Sequence, residues 1–271
     1  MKYKAIALDL DGTLKNSQQE IMPETRKILI QLQKKGVKVV LASGRPTWGM
    51  QEEAKELLFD QFGGYTLSFN GACIQNCTTK EIVYNATLEK ELAHRIYKQA
   101  KAYHLSVVTY KDDTIITEDG DDTYVQLEAR INRMPIKEVS NLIDEIDIDV
   151  NKVLLTGDPA YMEKVLDPLS KAFPEVWMYR SNPYFIEVMP HSVDKASSLG
   201  ELIKILKIKQ ESLIVFGDGY NDVSMIRYAG LGVAMGNAVA EAKEVAAATT
   251  SSNDDEGIAN YLHKLQKAGE I

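Results

Sequence analysis

Ala5-Ile-Ala-Leu-Asp-Leu-Asp-Gly-Thr-Leu14 puts two carboxylates two residues apart at the end of a short apolar run, with a Gly-Thr turn directly after them. The run reads as a buried strand. Residues i and i+2 of a strand point the same way, so Asp9 and Asp11 are delivered to one place. Two like charges held together are costly unless a cation or a proton neutralises them. The plain alternative is an acidic turn capping a strand, because Asp and Gly are common turn residues. Three further segments downstream take most of the weight from that alternative.

Outward from this run, the chain alternates strand and helix. A helix is expected over 23–36, with Pro23 at a favoured first position and Gly36 at its end. The continuous apolar stretch 37–42 suits a parallel strand covered on both faces. A second helix is expected over 46–60 and a strand over 65–69, followed by the hairpin-turn signal Asn70-Gly71. The same rhythm returns late in the chain: helix 192–206, strand 213–216, helix 221–228, strand 232–235, helix 239–245, strand 246–249, helix 256–267. This alternation argues for an α/β fold with a doubly wound parallel sheet, whose ligands sit beyond the carboxyl ends of the strands.

Between 82 and 187 the pattern loosens. Strands 106–110, 114–118 and 152–156 mix with helices 88–103 and 160–172, and Lys111-Asp112-Asp113 looks like a hairpin tip. The expected organisation is a discontinuous core, 1–81 with 188–271, carrying an inserted α+β domain over 82–187.

Composition narrows the class. The 271 residues are 45% hydrophobic, enough for one large or two medium domains. No apolar run approaches the ~18 residues of a membrane span, and no signal-peptide pattern opens the chain. A net charge of −8 argues against a general nucleic-acid binder. A soluble cytoplasmic protein, monomeric and acting on a small molecule, is expected. Cys73 and Cys77 stand four apart without further Cys or His, so reduced thiols rather than a metal site are expected. His94, His104, His191 and His263 are scattered and suggest neither a zinc site nor a serine triad.

Four segments carry chemistry, each at or near an expected strand end. Asp9 and Asp11 come first: a carboxylate can attack phosphorus to form an aspartyl-phosphate, and a second carboxylate can protonate the leaving oxygen and later activate water. Ala42-Ser43-Gly44-Arg45 offers a hydroxyl and backbone N–H groups suited to an anion, although Ser-Gly is more often a turn and cap. Lys195 sits at a helix start, where the dipole disfavours a cation, which points it toward an anion. Phe216-Gly217-Asp218-Gly219-Tyr220-Asn221-Asp222 supplies two carboxylates and an amide, oxygen ligands that suit Mg²⁺; an acidic helix cap is the alternative.

These ordered motifs closely resemble the haloacid dehalogenase (HAD) superfamily of phosphatases. The short loop after Leu14 and the insertion between Ser43 and Lys195 resemble the Cof-like subfamily with a type IIB cap, as does 250–258, Thr-Ser-Ser-Asn-Asp-Asp-Glu-Gly-Ile. The resemblance implies a Rossmann-like HAD core with the insert as an α/β cap that selects the leaving group. Asp9 would be nucleophile and Asp11 general acid/base. Mg²⁺ would be held by Asp9, the Asp11 carbonyl and Asp218, with Gly219 and Asp222 close by. Leu10, Ser43, Gly44, Lys195 and Asn221 would grip the phosphoryl group. One motif departs from the family pattern Pro-x-Gly-Val-x-Lys-Gly: Ser192 and Ala196 replace its glycines, with Ser192 a possible helix cap and His191 adjoining.

The function expected from this resemblance is Mg²⁺-dependent hydrolysis of small phosphorylated metabolites, sugar phosphates or relatives such as pyridoxal phosphate. A phosphomutase of the same superfamily is one alternative. A non-catalytic phosphometabolite-binding protein is the other.

Overall fold

The computed structural model describes residues 1–191 and 193–271; Ser192, expected as a helix cap, lies outside the described residues. The chain forms two compact units, residues 1–84 with 194–271 and residues 85–193.

The first unit opens with β1 (Ala5–Leu8), α1 (Pro23–Lys34), β2 (Lys38–Ala42), α2 (Gln51–Glu56), α3 (Phe59–Phe62), β3 (Tyr65–Ser68), β4 (Cys73–Asn76) and β5 (Ile82–Asn85). The second unit holds α4 (Lys90–Ala102), β6 (Ser106–Lys111), β7 (Thr114–Thr117), α5 (Thr123–Asn132), β8 (Ile136–Glu138), α6 (Leu142–Glu145), β9 (Val153–Thr156), α7 (Pro159–Ala172), β10 (Val176–Asn182) and β11 (Phe185–Pro190). The chain then returns to the first unit with α8 (Lys195–Ile205), β12 (Leu213–Gly217), α9 (Val223–Tyr228), β13 (Leu231–Ala234), α10 (Ala240–Val245), β14 (Ala248–Thr249) and α11 (Gly257–Lys267).

The first unit's sheet runs β14-β13-β12-β1-β2-β3-β4-β5. β14 through β3 are parallel, and β4 pairs antiparallel with β3. β1 lies at its centre, with Leu8 opposite Leu41 on one side and Phe216 on the other. All of β1 and β12 and most of β2 are buried, which explains their apolar sequence. The second unit has its own sheet, β10-β11-β9-β6-β7-β8, mostly antiparallel. Its apolar core gathers Ile96 and Tyr97 of α4, Val107, Leu155 and Ile186 of the sheet, and Met162 and Leu169 of α7.

Two local expectations need correction. The helix expected over 46–60 is broken: a short 3₁₀ turn precedes α2, and Leu58 adopts a left-handed conformation (φ 57°) that separates α2 from α3. The helix expected from 192 starts instead at Lys195. Asp194 caps it, accepting from the Ser197 N–H at 2.7 Å while Ser197 Oγ accepts from the Asp194 N–H at 3.1 Å. Several elements of the insert had no counterpart in the sequence reading. Among them is α5, started by Asp122, which accepts from the N–H groups of Tyr124 and Val125.

Candidate active site

Parallel strands end at one edge of a sheet, and here that edge collects the chemistry. Asp9 follows β1, Ser43 follows β2 and Asp218 follows β12. The ladder continues one step past β1, where the Asp9 N–H donates to the Phe216 carbonyl at 3.1 Å. Lys195 is the first residue of α8, so the capping box at Asp194 fixes where the lysine leaves the backbone.

Lys195 is the centre of a buried ionic cluster. Its Nζ donates to Asp9 Oδ1 at 2.6 Å and to Asp222 Oδ1 at 2.7 Å, with the lysine and Asp222 side chains fully shielded from solvent. Asp222 uses its other oxygen to accept the N–H groups of Asp218 (2.9 Å) and Gly219 (2.8 Å), which shapes the loop after β12. Thr13 Oγ1 donates to Asp218 Oδ1 at 2.6 Å. Gly12 has φ +85°, and a Cβ there would stand 2.5 Å from Asp218 Oδ2. The glycine of the first motif is therefore required both by its left-handed backbone and by the close approach of the two acidic loops.

The charges do not balance within this group. Asp9, Asp218 and Asp222 each offer a carboxylate oxygen within 4.8 Å of the others, and Lys195 brings one positive charge to them. Burial and then the neighbouring Asp222 push the Asp9 carboxyl well above its ordinary range. Burial does the same to Asp218, raising it to about 6 even though Thr13 opposes the shift. Burial works against the Lys195 ammonium, but Asp222 and Asp9 outweigh it and hold the lysine above its usual range. Hard oxygen donors with uncompensated negative charge fit a divalent cation such as Mg²⁺. Because both Asp222 oxygens already have partners, Asp9 and Asp218 are the carboxylates freer to ligate one.

Asp11 is drawn to a different cation. Its side chain is 46% exposed, and Arg45 grips it with Nε on Oδ2 at 2.8 Å and Nη2 on Oδ1 at 2.6 Å. Ser43 is buried, its N–H donating to the Leu67 carbonyl at 2.9 Å. Its hydroxyl accepts from the Arg45 N–H at 3.2 Å. Asn221 is exposed, and its Nδ2 donates to Asn70 Oδ1 at 3.0 Å.

Asp9, Asp11, Ser43 and Asp218 thus lie just past the ends of parallel strands, and Lys195 at the start of α8 and Asp222 join them through hydrogen bonds. The sequence reading missed four neighbours: Thr13, Arg45, Asn70 and Asn237, the last donating to the Gly12 carbonyl at 2.8 Å. In the sequence Arg45 reads only as part of the Ser43 motif, and Asn70 only as a turn signal. Phe69, Asn70 and Gly71 all have positive φ (52°, 51° and 112°), a costly run that signals a functional or structural demand at the end of β3. His191 is exposed in the second unit, its ring edge-on to Trp177 at 5.8 Å. Both cysteines are buried and free, and burial pushes both thiols up, that of Cys77 to about 11. No helix among the described residues is long and apolar enough to cross a membrane.

The chain is similar to known proteins over nearly its whole length. The family of haloacid dehalogenase-like hydrolases matches residues 6–262. A solved haloacid dehalogenase-like hydrolase from Bacteroides thetaiotaomicron is 43% identical, with a TM-score of 0.94, covering 97% of this chain and 100% of that one. YxeH of Bacillus subtilis is 33% identical over 267 residues, 97% of this chain and 98% of that protein. The 5-amino-6-(5-phospho-D-ribitylamino)uracil phosphatase YitU of the same organism is 27% identical over 269 residues, 95% of each.

Proposed function

We propose that this chain, which belongs to the haloacid dehalogenase-like hydrolases, is a Mg²⁺-dependent phosphomonoesterase that hydrolyses small phosphorylated metabolites through an aspartyl-phosphate. The observation that carries this reading is the division of labour between two carboxylates two residues apart. Asp9 is buried and held by Lys195, whereas Asp11 is exposed and held by Arg45.

Asp9 is the nucleophile. One of its carboxylate oxygens attacks phosphorus in line with the ester oxygen. Lys195 keeps the carboxylate in place against repulsion from Asp218 and Asp222 and adds positive charge where the phosphoryl oxygens gather. The Leu10 and Gly44 N–H groups, the Ser43 hydroxyl and Asn221 Nδ2 surround the phosphoryl group as donors. Asp11 protonates the departing alcohol, then takes a proton from the water that releases phosphate. Asp9, Asp218 and the Asp11 carbonyl, with Gly219 and Asp222 close by, would hold the divalent cation, which neutralises charge and polarises the phosphoryl oxygens when bound. A carboxylate at position 11 is what ester hydrolysis requires, since an alkoxide leaves poorly without a proton.

Sugar and sugar-alcohol phosphates are the proposed substrate class, supported by YitU, whose name gives a phosphoribityl compound as its substrate. The test is phosphate release from a panel of sugar phosphates, nucleotides and pyridoxal phosphate, with Mg²⁺ and with EDTA, alongside Asp9→Asn. The expected result is release that needs Mg²⁺ and disappears in the variant. Release that persists in Asp9→Asn defeats the nucleophile assignment, and no release from any ester defeats the reading itself.

A further inference from the structure

We propose that Arg45 is the positioning residue for proton transfer, orienting Asp11 toward the leaving-group oxygen; the role rests on the phosphomonoesterase reading. The Arg45–Asp11 contact is a fork, Nε to Oδ2 and Nη2 to Oδ1 at 2.8 and 2.6 Å. Two parallel bonds fix the plane of a carboxylate as well as its location, which a single lysine contact does not. The exposures are unequal. The Arg45 side chain is 12% exposed and that of Asp11 46%, so a shielded arm restrains an acid that solvent would otherwise leave free to rotate.

The base of that arm is itself anchored. The Arg45 N–H donates to Ser43 Oγ at 3.2 Å, and its carbonyl accepts from the Phe69 N–H at 2.9 Å. The Ser43 carbonyl accepts from the Asn70 N–H at 2.9 Å, and Pro46 follows directly. The 43–45 loop is thus fastened to the left-handed turn after β3. Asp9, in turn, accepts from Lys195 Nζ at 2.6 Å. Arg45 meets Asp11 while Lys195 meets Asp9.

The fork suits both halves of the reaction. In the first, a bond forms between an Asp9 carboxylate oxygen and phosphorus, the ester P–O bond breaks, and the proton on Asp11 passes to the departing oxygen. Nε can keep its contact with Oδ2 while Oδ1 carries that proton. In the second, Asp11 is a carboxylate again and takes a proton from water, the water oxygen bonds to phosphorus, and the Asp9–phosphorus bond breaks.

Leaving groups of different basicity test this role. Phosphate monoesters running from alkyl alcohols to p-nitrophenol differ in how much protonation they need, and kcat/KM reports the steps through transfer to Asp9. Arg45→Met should lose about 10²-fold on alkyl phosphates, the lower end for a general acid, and progressively less toward p-nitrophenyl phosphate. Arg45→Lys should recover part of the alkyl-ester loss. In an Asp11→Asn background, Arg45→Met should add nothing further on alkyl esters. An equal loss across the series would make Arg45 a phosphoryl-binding residue and overturn the proposal, as would full activity on alkyl esters. Arg45→Gln guards against a folding defect: its thermal midpoint should stay near wild type while kcat/KM falls further for alkyl esters than for p-nitrophenyl phosphate. A wild-type enzyme that hydrolyses no ester with Mg²⁺ fails the phosphomonoesterase reading instead, before any variant is compared.

Discussion

Ser198 Oγ donates a hydrogen bond to the Gly71 carbonyl at 2.7 Å, in a buried setting, and so fastens the helix that begins with Lys195 to the left-handed turn after β3. The contact explains why position 71 is glycine. Its φ is +112°, and a Cβ there would stand 2.5 Å from Ser198 Oγ and 2.7 Å from the Asp194 carbonyl. Gly71→Ala should destabilise the fold by about 1–3 kcal/mol through backbone strain and displacement of α8. It should also lower kcat, because Lys195 and its cap move with that helix. Chemical denaturation and steady-state rates measure the two effects; a variant as stable and active as wild type would mean the helix is positioned by something else.

Lys195→Met removes the cation from two buried carboxylates at once. Breaking a buried pair costs about 3–5 kcal/mol, because a charge is left uncompensated. The metal-free variant should lose stability on that scale by urea denaturation, and phosphatase activity should be lost. Added Mg²⁺ should restore part of the stability and none of the activity.

Proton and metal compete for the same oxygens. Burial raises the Asp218 carboxyl to about 6 and pushes Asp9 up as well. Between the unfolded value near 4 and the folded value, the native state therefore holds protons that the unfolded chain has released. Stability contributed by these groups falls as pH rises through that window. A bound divalent cation replaces those protons and binds less well where they persist. The rise in melting temperature caused by Mg²⁺ over EDTA should therefore be larger at pH 7 than at pH 5. An equal or larger rise at pH 5 would remove the Asp9–Asp218 pair from the metal site.

In the second unit, Tyr110 donates its hydroxyl to Glu128 Oε1 at 2.6 Å, both side chains being buried. Burial and then Glu128 push the Tyr110 phenol well above its ordinary range, so it stays a donor. Tyr110→Phe leaves a buried carboxylate without that donor and should cost about 1–3 kcal/mol. Differential scanning calorimetry reads the loss. A neutral result would mean that Glu128 is satisfied without the tyrosine.

The site was legible in the sequence because its four segments are local motifs at strand ends, and parallel strands bring their carboxyl ends together whatever lies between them. Asp9, Ser43 and Asp218 each announce themselves that way. Arg45 and Asn70 were harder, since their roles depend on contacts between loops far apart in sequence. The Asp11 fork distinguishes Arg45 from a surface arginine, and three successive positive φ values distinguish Asn70 from an ordinary turn. The break at Leu58 had no local signal, because leucine rarely adopts a left-handed conformation and nothing beside it marks one. Much of the insert was missed for the same reason: short, mixed elements such as α6 carry too little periodicity to be seen before they pair.

The central place of β1, between β2 and β12, also sets a timetable for synthesis. Thr13 meets Asp218 across 205 residues of chain, and Lys195 meets Asp9 across 186. While the ribosome is still making the insert, the first strand has only one flank and its two aspartates have no ammonium to face. The second unit, continuous in sequence, can fold during that interval. The nascent protein can therefore hold a folded insert before residues 195–222 emerge to complete the reactive cluster.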